Sequence, residues 1–131
     1  MIAVDTSALV AILWGEREEA RLRAALEATN GALISMASLL ELQLVVAGSR
    51  SPIGWATAEA LLEQYSIVAH PFDEQQLKIA REAVLRFGKG RHEAKLNFGD
   101  CFAYALAKSE GIPLLFTGND FTKTDVEKIL K

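Results

Sequence analysis

The chain has one cysteine, two histidines and three prolines in 131 residues. A single thiol, Cys101, closes no intrachain disulfide, so nothing here requires an oxidising compartment. With only His70 and His92 beside it, a Cys/His zinc cluster is excluded. No uncharged run supplies the roughly 20 predominantly apolar residues of a membrane span without polar residues in its middle. The opening MIAVDTSALVAILWGE is apolar but lacks a basic leader and is interrupted by Asp5, which makes it a poor signal peptide. A cytoplasmic protein with no membrane contact is the expectation. Positive charge is scarce too. The formal net charge is −3, so a nucleic acid has to be met by a local basic patch rather than by bulk electrostatics.

What is present suits one domain over residues 1–131, with half the chain apolar and 24% charged. MIAV, ALISM, SIVAHPF and IPLLFTG read as short buried strands, apolar throughout rather than alternating. Between them lie helical patterns: SALVAILWGE, EREEARLRAALEAT, ASLLELQLVVAG, a helix after Pro52, DEQQLKIAREAVLRFG with Asp73 as its N-cap, and NFGDCFAYALAKSEG. A turn and a short helix in NDFTKTDVEKILK close the chain. Strands alternating with helices predict a parallel sheet covered on both faces, an α/β architecture. Ligand sites in such sheets lie at the carboxyl ends of the strands, near a topological switch.

Four carboxylates occupy telling positions. Asp5 ends the first strand, Glu41 lies inside an apolar helix, Asp100 is in the first turn of another, and Asp120 follows the last strand. Each has an ordinary explanation. Asp5 or Ser7 can cap the first helix. Ser38-Leu39-Leu40-Glu41 fits a capping box. Asn97 to Asp100 fits a cap with an acid on the helix dipole. Gly118-Asn119-Asp120 is turn chemistry. Glu41 resists this treatment. Its helix is apolar all round and is expected to be buried. An unpartnered carboxylate there costs several kcal/mol, against about 1 kcal/mol returned by a cap. No Lys or Arg occurs between Arg23 and Arg50, so the partner comes from far along the chain or is a metal ion. Several acids in one cleft repel one another unless a divalent cation holds them, and oxygen-only ligands select Mg²⁺ or Mn²⁺.

IAVDTSALVAIL, ISMASLLELQLVV, LNFGDCFAYALAK and LLFTGNDFTKTD together resemble the four signature segments of PIN-domain ribonucleases, and within them the VapC-type toxins of toxin–antitoxin pairs. The resemblance spans essentially the whole chain, in order. It implies a three-layer α/β/α sandwich with a short central parallel sheet. It also implies an Mg²⁺-dependent endoribonuclease (Mn²⁺ as a substitute), with Asp5, Glu41, Asp100 and Asp120 as its acidic cluster. Asp5 and Asp100 are then the direct metal ligands, and Glu41 and Asp120 bind a second ion or position water. The fourth place is shared between Asn119, a supporting polar ligand, and Asp120, with Asp125 the weaker candidate. Thr6 and Ser7 are the small hydroxyl residues that orient ligands or water.

For RNA contacts the sequence offers RFGKGRHEAK, with Arg86, Lys89, Arg91 and Lys95, just before the Asp100 helix. Arg50 is a further candidate. The alternative for the loop is plain solvation. The resemblance also implies a homodimer and a VapB-type antitoxin whose basic side chain competes with metal for the acids. Structured RNA such as tRNA is the expected substrate class. A haloacid-dehalogenase-like phosphatase needs a second Asp two residues after Asp5, where Ser7 stands. A receiver-like domain needs an acidic pair after the first strand, and IAVDTS has one acid. The remaining alternative is a PIN-like module that binds RNA or protein without cutting.

Overall fold

The computed structural model describes residues 1–129. Four parallel strands run in the order β3-β2-β1-β4: β1 (Ile2–Val4), β2 (Ala32–Ser35), β3 (Ile67–His70) and β4 (Leu114–Leu115). Six helices accompany them: α1 (Thr6–Leu13), α2 (Glu19–Ala28), α3 (Met36–Ala47), α4 (Trp55–Gln64), α5 (Glu74–Phe87) and α6 (Phe98–Glu110). The chain is the three-layer α/β/α sandwich its resemblance implies. Among the described residues no helix is long and apolar enough to cross a membrane.

Strand pleating divides the core between two layers. Ile2, Val4, Ala32 and Ile34 point to the side packed by α1 to α4. Ala3, Leu33 and Leu114 point to the side packed by α5 and α6. Because β2 and β4 flank β1, the order reverses beside β1. That places the topological switch at the carboxyl ends of β1 and β4, where Asp5 and the 117–120 turn emerge.

Three expectations change. The closing helix is not found: residues 119–129 form turns and bends, and Lys128 pairs with Leu114 at an isolated bridge. The last two residues of that expected helix lie outside the described residues. Local bonds explain the departure. The Thr122 hydroxyl donates to the Asn119 carbonyl, and the Thr124 hydroxyl donates to that of Phe121 while accepting from the Val126 N–H, so side chains compete for helical partners. Phe121 and Val126 meanwhile insert into the α5/α6 layer.

Helix α3 is not buried all round. Leu42 and Val46 are inside, but Met36, Leu40 and Leu44 are 50%, 62% and 69% exposed, a stripe at i, i+4 and i+8. The Ser38–Glu41 capping box is also absent. The helix starts three residues earlier than that pattern requires, with Ser35 rather than Ser38 as the N-cap, its hydroxyl accepting from the Ala37 N–H. Glu41 therefore owes its place to something other than capping.

Phe121 is 1% exposed and fastens the carboxyl-terminal segment under α6. Phe121→Ala is expected to lower the unfolding free energy by about 3–5 kcal/mol in urea titrations. A loss below about 1 kcal/mol would mean the segment is not part of the cooperative core.

Candidate active site

Asp5 leaves β1 in extended conformation and caps α1, its Oδ2 accepting the Ser7 N–H at 3.0 Å. Asp100 sits at the third position of α6 in a full capping box: Asn97 Oδ1 accepts the Asp100 N–H, and Asp100 Oδ2 accepts the Asn97 N–H, both at 3.0 Å. So capping is real for both acids, and it engages one oxygen of each. The structure then brings these acids together with Glu41 and Asp120 around one cavity of about 330 Å³. Thr6, Ser7, Val10, Val45, Asn97 and Thr117 complete its walls, with a fifth carboxylate from Glu16. Among the described residues no Lys, Arg or His lines it.

The acids feel one another. Burial pushes the Asp5 carboxyl up to about 6, against the bonds from Ser7, with Glu41 and Asp120 adding repulsion. Burial likewise pushes Asp100 up to about 7, against the Asn97 N–H, with Asp120 and Asp5 repelling it. Carboxylates that repel one another in this way favour a proton or a cation between them.

Glu41 reaches this group because residue 99 is glycine. A Cβ there would collide with Glu41 Oε2 and stand 3.1 Å from its Cδ. The α3 carboxylate thus lies directly on the α6 backbone, beside Asp100. On the opposite wall, Thr117 is tied to α1. Its N–H donates to Ser7 Oγ at 3.1 Å, and its hydroxyl donates to the Ser7 carbonyl at 3.4 Å. The Thr6 hydroxyl donates to the Ser38 carbonyl, joining α1 to α3.

The donor set fits a hard divalent cation: carboxylates only, two of them buried and uncompensated by any cationic side chain. Among the described residues no three His, Cys, Asp or Glu groups stand close enough to enclose an ion directly.

The PIN domain family pattern matches residues 2–127. The chain is 42% identical over 128 residues to Ribonuclease VapC30 of Mycobacterium tuberculosis, covering 98% of both. It belongs to the PIN-domain family, as a VapC-type member. Solved toxin structures share its fold at low identity. Mycobacterium tuberculosis VapC20, a sarcin–ricin loop cleaving toxin, superposes with a TM-score of 0.76 at 17% identity over 98% of each chain. A toxin–antitoxin complex from Klebsiella pneumoniae gives 0.69 at 17% identity, covering 95% of this chain and 93% of that one.

In this PIN domain Asp120 lines the acidic cavity, while Asn119 turns to a neighbouring one. Asp125 is elsewhere, shared by Tyr104, Lys108 and Arg86. Burial raises its carboxyl, but the bonds from Tyr104 and Lys108 outweigh that and hold it below the usual range. Arg86 pairs with Asp125 at 3.1 Å and lies over the Phe87 ring, so it does not join the acidic cavity. Lys89, Arg91 and Lys95 are exposed on a loop pinned by a Gly88–Leu96 bridge. His70 pairs with Glu110 at 2.6 Å. Glu16 was not singled out in the sequence. Its signal was the Trp14-Gly15 break, where Gly15 takes φ +67° and returns the chain toward the sheet edge.

Gly99→Ala is expected to displace Glu41 and lower RNA cleavage at least tenfold. The mechanism is steric, so far-ultraviolet circular dichroism should be unchanged. Full activity would show that Glu41 need not occupy this position.

A pH effect follows from the raised acids. Their folded-state values lie above the ordinary 3.8, so the fold retains protons that the unfolded chain has lost. These groups stabilise the metal-free fold fully below about pH 4 and cease to do so as pH rises through about 6 and 7. Asp100→Asn keeps an oxygen for the Asn97 N–H but carries no charge. In chelator at about pH 8 its Tm is expected to exceed that of the unaltered chain by several degrees, with the gap closing toward about pH 4.5. A lower Tm at both pH values would refute uncompensated charge at Asp100.

Proposed function

We propose that the chain is a metal-dependent endoribonuclease acting as the toxin of a toxin–antitoxin pair. The observation that carries the reading is five carboxylates around one cavity with no cationic side chain in its walls among the described residues, in a chain 42% identical to a VapC ribonuclease. Asp5 and Asp100 would hold Mg²⁺ or Mn²⁺, with Glu41 and Asp120 acting through water or at a second ion. When bound, the ion supplies an activated water and stabilises charge on the attacked phosphodiester. The protein's own part is geometric. The α1 and α6 caps fix Asp5 and Asp100, Gly99 admits Glu41, and the Ser7–Thr117 bonds hold the opposite wall.

RNA contacts are assigned to Lys89, Arg91 and Lys95, none of which has a carboxylate within ion-pair distance among the described residues. A VapB-type antitoxin fits the cavity by charge: a basic side chain entering it would satisfy the acids in place of metal. The exposed stripe of Met36, Leu40 and Leu44, with Phe98 at 82% exposure beside it, supports a homodimer through this face. Structured RNA such as tRNA is the substrate class.

The test is cleavage of total RNA, tRNA included, by antitoxin-free protein with Mg²⁺ or Mn²⁺, with chelator, and with Asp100→Asn. Cutting is expected only with metal and an intact Asp100, with at least a hundredfold loss otherwise, and cognate antitoxin should suppress it. A folded protein that cuts nothing while a control nuclease works would favour the non-catalytic PIN-like module. Light scattering on the same preparation should give twice the 14.3 kDa chain mass, and the single mass would refute the homodimer.

A further inference from the structure

A second and larger cavity, about 720 Å³, adjoins the acidic one. Thr117 lines both, and Asn119 in the second is the chain neighbour of Asp120 in the first. A strand that leaves the acidic centre across Thr117 therefore enters this cavity directly. Its lining differs in kind. Phe116 and Val126 give an apolar floor, Thr117, Asn119 and Thr122 give hydroxyls and an amide, and Arg21 stands at the rim. Glu18, Glu127 and Lys128 also face it.

Arg17 and Arg21, four residues apart, share a smaller hollow with Glu18. Neither has a carboxylate within ion-pair distance among the described residues, whereas Arg23 is held by Glu19 at 2.8 Å and by the Tyr65 hydroxyl at 3.0 Å. One arginine of this segment is thus structural, and two are left to the rim. Five carboxylates repel any phosphate not paired with the metal, so a phosphate beyond the scissile one needs cationic contacts outside the acidic cavity. The rim arginines offer them, and the floor and amide suit a base, which presents an apolar face and hydrogen-bonding edges.

We infer that the cavity between the α2 start and the 116–122 segment binds the nucleotide flanking the scissile phosphate in single-stranded RNA, its base over Phe116 and Asn119 and its phosphate at Arg17 and Arg21. This rests on the nuclease reading and adds to it a second RNA site, distinct from the one assigned to Lys89, Arg91 and Lys95.

The probe is a short, fluorescein-labelled single-stranded RNA of mixed sequence containing 4-thiouridine. Its binding is measured by anisotropy on Asp100→Asn protein, with and without Arg17→Ala and Arg21→Ala, at two salt concentrations. Ultraviolet cross-links are mapped by mass spectrometry. We expect binding five- to tenfold weaker without the two arginines, a salt slope smaller by about one, and cross-links within 116–122. Cross-links confined to 88–98, with binding unchanged by the arginine substitutions, would overturn the proposal. Unchanged RNA binding with loss of antitoxin binding would overturn it also, assigning the cavity to the antitoxin. RNA that neither binds nor is cut by the unaltered chain would instead remove the nuclease reading, and this site with it.

Discussion

Four acids from four separate parts of the chain are held close enough to repel one another, two of them nearly out of water. The rest of the structure is arranged around supporting that unfavourable contact. A parallel sheet with its order reversing beside β1 delivers Asp5 and Asp120 to one edge. Two helix caps then restrain Asp5 and Asp100 through one oxygen each. The hydrogen bonds oppose the effect of burial but do not cancel it, since both carboxyls still rise well above their ordinary value. Such repulsion persists in a folded domain only because distant packing over-determines it, here two apolar layers on either face of the sheet.

Gly99 shows how finely that support is built. The first turn of α6 has to carry an acid, donate the Asp100 N–H to the Asn97 cap, and leave a surface flat enough for the Glu41 carboxylate to rest on. Any side chain at residue 99 would meet Glu41 first. The requirement is one of close approach, so it depends on α3 and α6 meeting in space. No property of either helix alone calls for it.

The surface divides into regions of different chemistry around this centre. On one side runs an apolar stripe from α3 to Phe98, on another the exposed cations of the 88–96 loop, and beyond Thr117 a polar cavity edged by arginines. The acidic centre itself has no cationic side chain in its walls among the described residues. On the proposed reading, metal, antitoxin and RNA backbone would each be placed by charge, and the first two would compete for the same carboxylates. Around Asp125 the opposite arrangement holds. Its carboxylate is surrounded by donors from Tyr104, Lys108 and Arg86, and it fastens the carboxyl-terminal segment to α5 and α6.

Much of this was legible in the chain itself. Short apolar strands alternating with helices specify a covered parallel sheet, because only burial on both faces suits an unalternating strand. Asp5 and Asp120, each just past the end of an apolar strand, already placed two acids at one edge of such a sheet. Both depend on local composition and spacing, which sequence carries directly. Other features did not show there. Asn119 and Asp120 are adjacent, and only the turn at Gly118, with φ +80°, sends them to different cavities. Arg86 and Lys89 are three residues apart, yet Asp125, 39 residues on from Arg86, claims the first. The stripe on α3 looked like core because apolarity alone does not say which face a neighbour covers. The closing segment lost its helix to threonine hydroxyls and to the pull of Phe121 into the core. In each case the deciding partner lies outside the local stretch, or is a competing local bond that periodicity does not register. Tertiary structure alone chooses between such partners, because the choice depends on what the folded chain brings within a few ångströms.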